Sequence, residues 1–115
     1  MKPFVARSTP WGTIQTGALF DRLTPLEQQA VIAHEEGHIR FHHARTRFRW
    51  ILTGKAFFQA ERFYALCEEQ EMEADRYAAW QGHAAGLITF LFRQGLHVKS
   101  DGYPTHKQRI EAIHG

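Results

Sequence analysis

The sequence predicts an α+β fold: a mostly helical single domain with a small N-terminal β-sheet, in which a helix bearing a His-Glu-x-x-His run is followed by a helix bearing a glutamate. Three observations predict it. Residues 1 to 20 set prolines, glycines and threonines around short apolar groups, a pattern of short strands and turns. Thr24-Pro25-Leu26-Glu27 combines a capping box with proline at the first helical position. From there onward, helix-forming runs are interrupted chiefly at glycine and proline. At 115 residues and 43% apolar composition, the chain has material for one core and not two, so residues 1–115 are read as one minimal domain.

Taken in order, Gly12-Thr13-Ile14-Gln15-Thr16-Gly17 reads as a strand bounded by turns, and two short strands suffice for the N-terminal sheet. The helix opened by Thr24 is predicted to reach about Arg49, before Thr53-Gly54 interrupts. A second long helix is predicted from about Lys55 to Gln81 with Gly82 as its stop. Ala84 to Arg93 reads as a third helix ending at Gly95. A polar loop, Lys99-Ser100-Asp101-Gly102, precedes Pro104, which opens a last short helix carrying Arg109, Ile110 and Ile113.

Composition excludes several classes. Fourteen Lys and Arg against twelve Asp and Glu leave a mildly basic balance that by itself argues for no nucleic-acid partner. Arg40, Arg45, Arg47 and Arg49 interleave with Phe41, Phe48 and Trp50, which a helix with one charged and one apolar face explains better than nucleic-acid binding does. Cys67 is the single cysteine, so neither a disulfide framework nor a cysteine-rich zinc knuckle can form, and it reads as a small buried hydrophobe. The sequence has no signal-peptide run and nothing near the roughly 20 apolar residues of a membrane span. A cytoplasmic protein is therefore expected.

His34-Glu35-Glu36-Gly37-His38 lies within the capped helix, so the two histidines stand one turn apart on one face and can meet one ion. Glu35, beside the first histidine, is placed to work a zinc-bound water rather than to ligate. Eight histidines and nine glutamates produce this motif by chance in about 4% of shuffled chains, so a third ligand on another element decides the matter. Glu71-Met72-Glu73-Ala74-Asp75 supplies it. Glu71 and Asp75 share a helical face, with Glu73 to the other side; Glu71 can ligate, and Asp75 can take the second ring N–H of His34. The competing reading of this run is a solvated acidic face. The expected metal is zinc, favoured by two histidines and one carboxylate.

Other residues read less sharply. His42 and His43 follow the motif by one turn; a second metal site is the lesser reading, surface or supporting histidines the better one, and no role is assigned to them. Phe57, Phe58, Phe63 and Tyr64 recur at helical spacing and are expected in the core, an aromatic peptide pocket or a partner-helix groove being the alternatives. The strand Gly12, Thr13, Ile14, Gln15, Thr16 is expected to edge the cleft and pair with an extended peptide substrate.

These residues carry a family likeness. Gly12 through His42 resembles the active-site strand and helix of HtpX-type and CAAX-prenyl-protease metallopeptidases, and Glu71-x-x-Ala74-Asp75 resembles their third-ligand motif. Lacking their transmembrane helices, the chain is most similar to the minigluzincins, the compact soluble members of that clan. The resemblance implies zinc-dependent hydrolysis of a peptide or protein. In that family a His-Pro pair precedes an arginine; here Tyr103-Pro104 precedes Arg109, and the resemblance implies that Tyr103 and Arg109 steady the oxyanion or anchor the substrate. His106 in the same helix is a competing donor. ImmA-type regulatory peptidases share His-Glu-x-x-His followed by Glu-x-Glu-Ala-Asx and stand as the second family. A catalytically silent or latent zinc-binding module is the non-enzymatic alternative, with the first ten residues or Ile113-His114-Gly115 as candidate cleft-blocking segments. Oligomeric state is not readable.

Overall fold

The structure is a computed structural model that describes residues 4–97 and 102–114. The expected loop residues Lys99, Ser100 and Asp101 lie outside them. Two three-residue strands, β1 (Ala6–Ser8) and β2 (Ile14–Thr16), pair antiparallel with Ala6 opposite Thr16, Arg7 opposite Gln15 and Ser8 opposite Ile14. The turn between them is closed by Thr9 N–H donating to the Thr13 carbonyl at 2.9 Å, with Gly12 at φ +86°, a backbone state that glycine adopts without cost.

Helix α1 (Pro25–Arg40) begins as its sequence demands. The Thr24 hydroxyl accepts from Glu27 N–H, and the Glu27 carboxylate accepts from Thr24 N–H. The expectation that it runs to Arg49 is corrected: it stops at Arg40, and His42 takes φ +57° before α2 (His43–Leu52) sets off in a new direction. Thr53-Gly54 interrupts as expected, Gly54 having φ +80°. The helix expected over 55–81 is two: α3 (Lys55–Phe58), a break at Gln59, then α4 (Ala60–Ala78). A wide turn, Ala79–His83, bends at Gly82 into α5 (Ala84–Gln94), which ends at Gly95. Thr105 caps α6 (His106–His114) through a reciprocal bond pair with Gln108.

The core is small and alanine-rich: Ala30 and Ala33 of α1, Ala78 of α4, and Leu87 and Leu91 of α5, with Phe90, Ile110 and Ile113 packed against them. Small side chains let helices approach closely. A Cβ on Gly86 would lie 2.5 Å from the Leu26 carbonyl oxygen and 3.1 Å from the Ala30 Cβ, so Gly86→Ala must force α1 and α5 apart. That overpacking costs about 1–3 kcal/mol, more than the up to about 1 kcal/mol by which alanine surpasses glycine in a helix. A lower Tm is the expected outcome in thermal unfolding of the variant; an unchanged Tm would mean that α5 shifts freely.

Cys67 is buried as expected. Phe57 and Phe58 are not in the core; both are 83% exposed, Tyr64 is also exposed, and Phe63 is half-buried. Periodicity announces an apolar stripe without saying what the stripe faces.

Candidate active site

The two histidines of α1 and the acidic run of α4 meet because the two helices touch backbone to backbone. A Cβ on Gly37 would come within 3.0 Å of the Ala74 Cα and 3.2 Å of its carbonyl oxygen. Glycine between the motif's histidines and alanine between Glu71 and Asp75 thus permit an approach that larger residues would block.

At this crossing His34 Nε2 and His38 Nε2 are 3.1 Å apart. The Glu71 carboxylate lies against both, Oε1 at 3.2 Å from His34 Nε2 and Oε2 at 3.0 Å from His38 Nε2. Four ligands placed tetrahedrally at zinc-like bond lengths of about 2.0 Å stand about 3.3 Å from one another, so the spacing suits one small divalent ion. The donor atoms of His34, Glu35 and His38 also fall within 4.8 Å of one another. Of the two groupings the Glu71 set is tighter, since Glu35 Oε2 stands 4.0 Å from His34 Nε2.

The charges are those of the metal-free site, where a cation binding here must displace the proton that His34 holds. Burial opposes ionisation of Glu71, yet hydrogen bonds from His34 and His38 hold its carboxyl well below the usual carboxylate range. Burial likewise opposes protonation of His34, but Asp75 and Glu71 outweigh it and lift the imidazole to about 10. Burial lowers His38. The Glu35 carboxyl is pushed up to about 7 by burial, against the pull of His34 and a hydrogen bond from Ser8 N–H.

Both histidines are buttressed from behind. His34 Nδ1 meets Asp75 Oδ1 at 2.8 Å, and Asp75 in turn receives the Arg109 fork, Nε on Oδ2 at 2.7 Å and Nη2 on Oδ1 at 2.8 Å. His38 Nδ1 meets His43 Nδ1 at 2.8 Å, and His43 Nε2 meets Glu73 Oε1 at 2.6 Å. His43 thus takes the supporting place that the sequence allowed it without naming a partner, because it swings back towards His38 only through the break at His42. Arg47, set aside in the sequence as part of a charged helix face, enters the site too: its Nη2 donates to Glu71 Oε2 at 2.9 Å and its Nε to Gln70 Oε1 at 2.6 Å.

A cavity of about 430 Å³ opens over these groups. It is lined by His34, Glu35, His38 and Glu71, by Arg47, Phe48 and Ile51 of α2, by Tyr103, and by Ala6, Arg7, Ser8 and Pro10. Three placements differ from expectation. The strand that flanks the cavity is β1; Gly12, Thr13, Ile14, Gln15 and Thr16 do not line it, and β2 pairs with the outer edge of β1. Arg109 reaches the cavity wall with its guanidinium Nε and Nη2 bonded to the two oxygens of Asp75, an orientation towards that carboxylate that the sequence did not foretell. His106 does not line the cavity; its ring faces the backbone carbonyls of Leu91 and Gly95. Tyr103 does line it, with burial and Glu71 raising its phenol above the ordinary value. Neither Ile113 nor His114 lines the cavity, and Gly115 lies outside the described residues.

The sequence model of Peptidase family M48 matches residues 11–92. The chain belongs to peptidase family M48. The matched segment spans both the His34 to His38 run and the Glu71 to Asp75 run, the two pieces that the fold brings together. M48 membership implies peptidase activity on peptide or protein substrates, with zinc the metal these enzymes generally use. β1, Tyr103 and Arg109 fall outside the matched M48 segment and rest on their geometry alone. No curated protein and no solved structure matches the chain significantly.

Proposed function

We propose that this M48 chain is a zinc-dependent metalloendopeptidase, a minimal gluzincin of the HtpX and CAAX-prenyl-protease type comparable to the minigluzincins, with residues 1–115 acting as one catalytic domain. The observation that carries the reading is the cluster of three buried donor groups, His34, His38 and Glu71, spaced 3.0–3.2 Å apart with Glu35 beside them. The M48 match supports it over an ImmA-type assignment. Retention of Glu35 speaks against a silent module, because a structural zinc site has no use for a carboxylate there.

His34, His38 and Glu71 would hold zinc, which when bound supplies Lewis acidity to a scissile carbonyl and to a water molecule. Glu35 accepts the proton of the attacking water and passes it to the leaving amine. The Tyr103 hydroxyl, on the cavity wall, is the side chain we assign to steady the carbonyl oxygen as it gains charge.

Substrate alignment falls to β1. Gly17 N–H donates to the Val5 carbonyl and Thr9 N–H to the Thr13 carbonyl. In an antiparallel ladder hydrogen-bonded pairs alternate, so Arg7 bonds Gln15 while the amides of Ala6 and Ser8 turn to the other edge, towards the cleft. Ser8 N–H already reaches Glu35 there. An extended peptide can add to this edge as a strand, its scissile bond delivered to Glu35.

Metal analysis of purified protein tests the centre. One zinc per chain is expected, lost in His34→Ala, His38→Ala and Glu71→Ala, with peptide hydrolysis lost to a chelator and restored by zinc. Anomalous diffraction showing metal on none of the three residues would overturn the assignment. The chain from His38 through His43 to Glu73 carries a separate expectation. With Nε2 given to the metal, His38 donates Nδ1–H to His43, which donates Nε2–H to Glu73. Cutting such a support typically costs 10–100-fold in metal affinity, so His43→Ala should raise the zinc Kd by roughly that factor in competition with a chromophoric chelator. An unchanged Kd would show that His38 is oriented by packing alone.

A further inference from the structure

The corner where α2 turns into α3 bears an apolar surface that no other described element covers. Phe48, Ile51 and Leu52 share one face of α2 at helical spacing and are 52%, 62% and 74% exposed, and beyond Gly54 the rings of Phe57 and Phe58 stand in solvent, 5.5 Å apart edge to face. Single exposed apolar residues are ordinary, but five within residues 48–58, on two successive helices, mark an interaction surface.

Charge indicates the partner. Residues 43–62 hold five Arg or Lys, of which Arg47 is paired with Glu71 in the site, and one acid, Glu61, whereas the rest of the chain holds nine against eleven. Arg45, Arg49, Lys55 and Arg62 are all exposed, and Lys55 Nζ lies 5.8 Å from the centre of the Trp50 ring. A second copy presenting this face would set the cations against one another, so self-pairing is disfavoured and an anionic partner is complementary. A polynucleotide would match the charge and leave Ile51 and Leu52 in water. The acyl–headgroup boundary of an anionic bilayer takes both: phenyl and aliphatic tips enter it while Arg and Lys stay with the phosphates. No described helix is long and apolar enough to cross a membrane, so the contact is one of lying on the surface.

We propose that the α2–α3 corner docks the protein onto an anionic lipid bilayer through Phe57, Phe58, Leu52 and Ile51, with Arg49, Lys55 and Arg62 engaging headgroup phosphates. Phe48 and Ile51 also line the cavity, so a docked bilayer lies next to the α2 wall of the cleft. The docking does not depend on what the cleft hydrolyses.

The full chain is to be sedimented with vesicles of phosphatidylcholine alone and with vesicles in which roughly a third of it is phosphatidylserine. Binding to the anionic vesicles, weakened by salt, is expected. Phe57→Ser/Phe58→Ser should lose roughly tenfold or more of that affinity, with unchanged circular dichroism and zinc content. Arg49→Glu/Lys55→Glu should bring anionic and neutral vesicles to similar, weak binding. Absence of vesicle binding by the folded parent overturns the proposal, as does equal binding by the phenylalanine double variant. Concentration-dependent dimerisation in sedimentation velocity, abolished by that same variant and unaccompanied by vesicle binding, would assign the face to a second copy instead.

Discussion

Glu35→Gln is expected to bind zinc as the parent chain does and to hydrolyse peptides about 10²–10⁴-fold more slowly, the range by which a positioned general base accelerates a reaction. The substitution preserves shape and leaves an amide oxygen to accept from Ser8 N–H, so the cleft keeps its β1 wall. What disappears is the group that takes the proton from the attacking water. Stability provides the control. A buried carboxyl with its pKa raised to about 7 binds its proton more tightly in the folded chain than in the unfolded one. Its ionisation therefore opposes folding progressively as pH rises from the unfolded value, the full penalty being reached above about 7. Metal-free Glu35→Gln, which never ionises there, should melt no lower than the parent at alkaline pH. Slow hydrolysis with parental zinc content and an undiminished Tm isolates the proton transfer; wild-type turnover by this variant would sink the mechanism.

How much of this arrangement was legible in the sequence depends on whether the backbone announced itself. The Thr24 to Glu27 cap, the turn at Gly54 and the stop at Gly95 each use a residue whose conformational preference is plain, and the helices begin and end there. The break at Phe41-His42 uses neither glycine nor proline. A histidine is among the residues that enter the left-handed region more readily than most, but nothing in the local pattern demands it. The consequence spread through the site. On one continuous helix His43 would sit about 140° around from His38 and Arg47 about 180°, both facing away from the metal-binding side. The break instead returns His43 to 2.8 Å from His38 and Arg47 to 2.9 Å from Glu71.

The strand at Ile14–Thr16 forms as read, but the expectation that it edges the cleft misses for a related reason. The run Gly12 to Thr16 has the better β pattern, yet β1 is the strand that lies along α1, and only the turn geometry decides which of two hairpin arms faces inward. Likewise, helical spacing foretold that Glu73 leaves α4 on a different side from Glu71. It gave no hint that His43 would be waiting there. Local chemistry was readable; relations between elements joined by an unmarked turn were not.

Asp75 separates two roles that one residue performs. It is buried, orients His34 through Nδ1 and neutralises the buried Arg109 fork. Asp75→Ala leaves a guanidinium in the interior without its counter-ion, a change that typically costs about 3–5 kcal/mol; in a domain of this size that lowers Tm by more than about 10 °C. The measurement belongs on metal-free protein, since zinc binding would itself raise Tm. Asp75→Ala/Arg109→Met removes both charges and should regain much of the lost stability, because a buried pair deleted whole leaves no unsatisfied ion behind. Zinc affinity should not return with it. His34 still lacks the carboxylate that fixes its tautomer, so the double variant is expected to keep a Kd about 10–100-fold above the parent. Recovery of stability without recovery of affinity assigns Asp75 two separable functions. Recovery of both would mean that Asp75 serves the site by holding Arg109 and α6 in place, and that His34 needs no partner of its own.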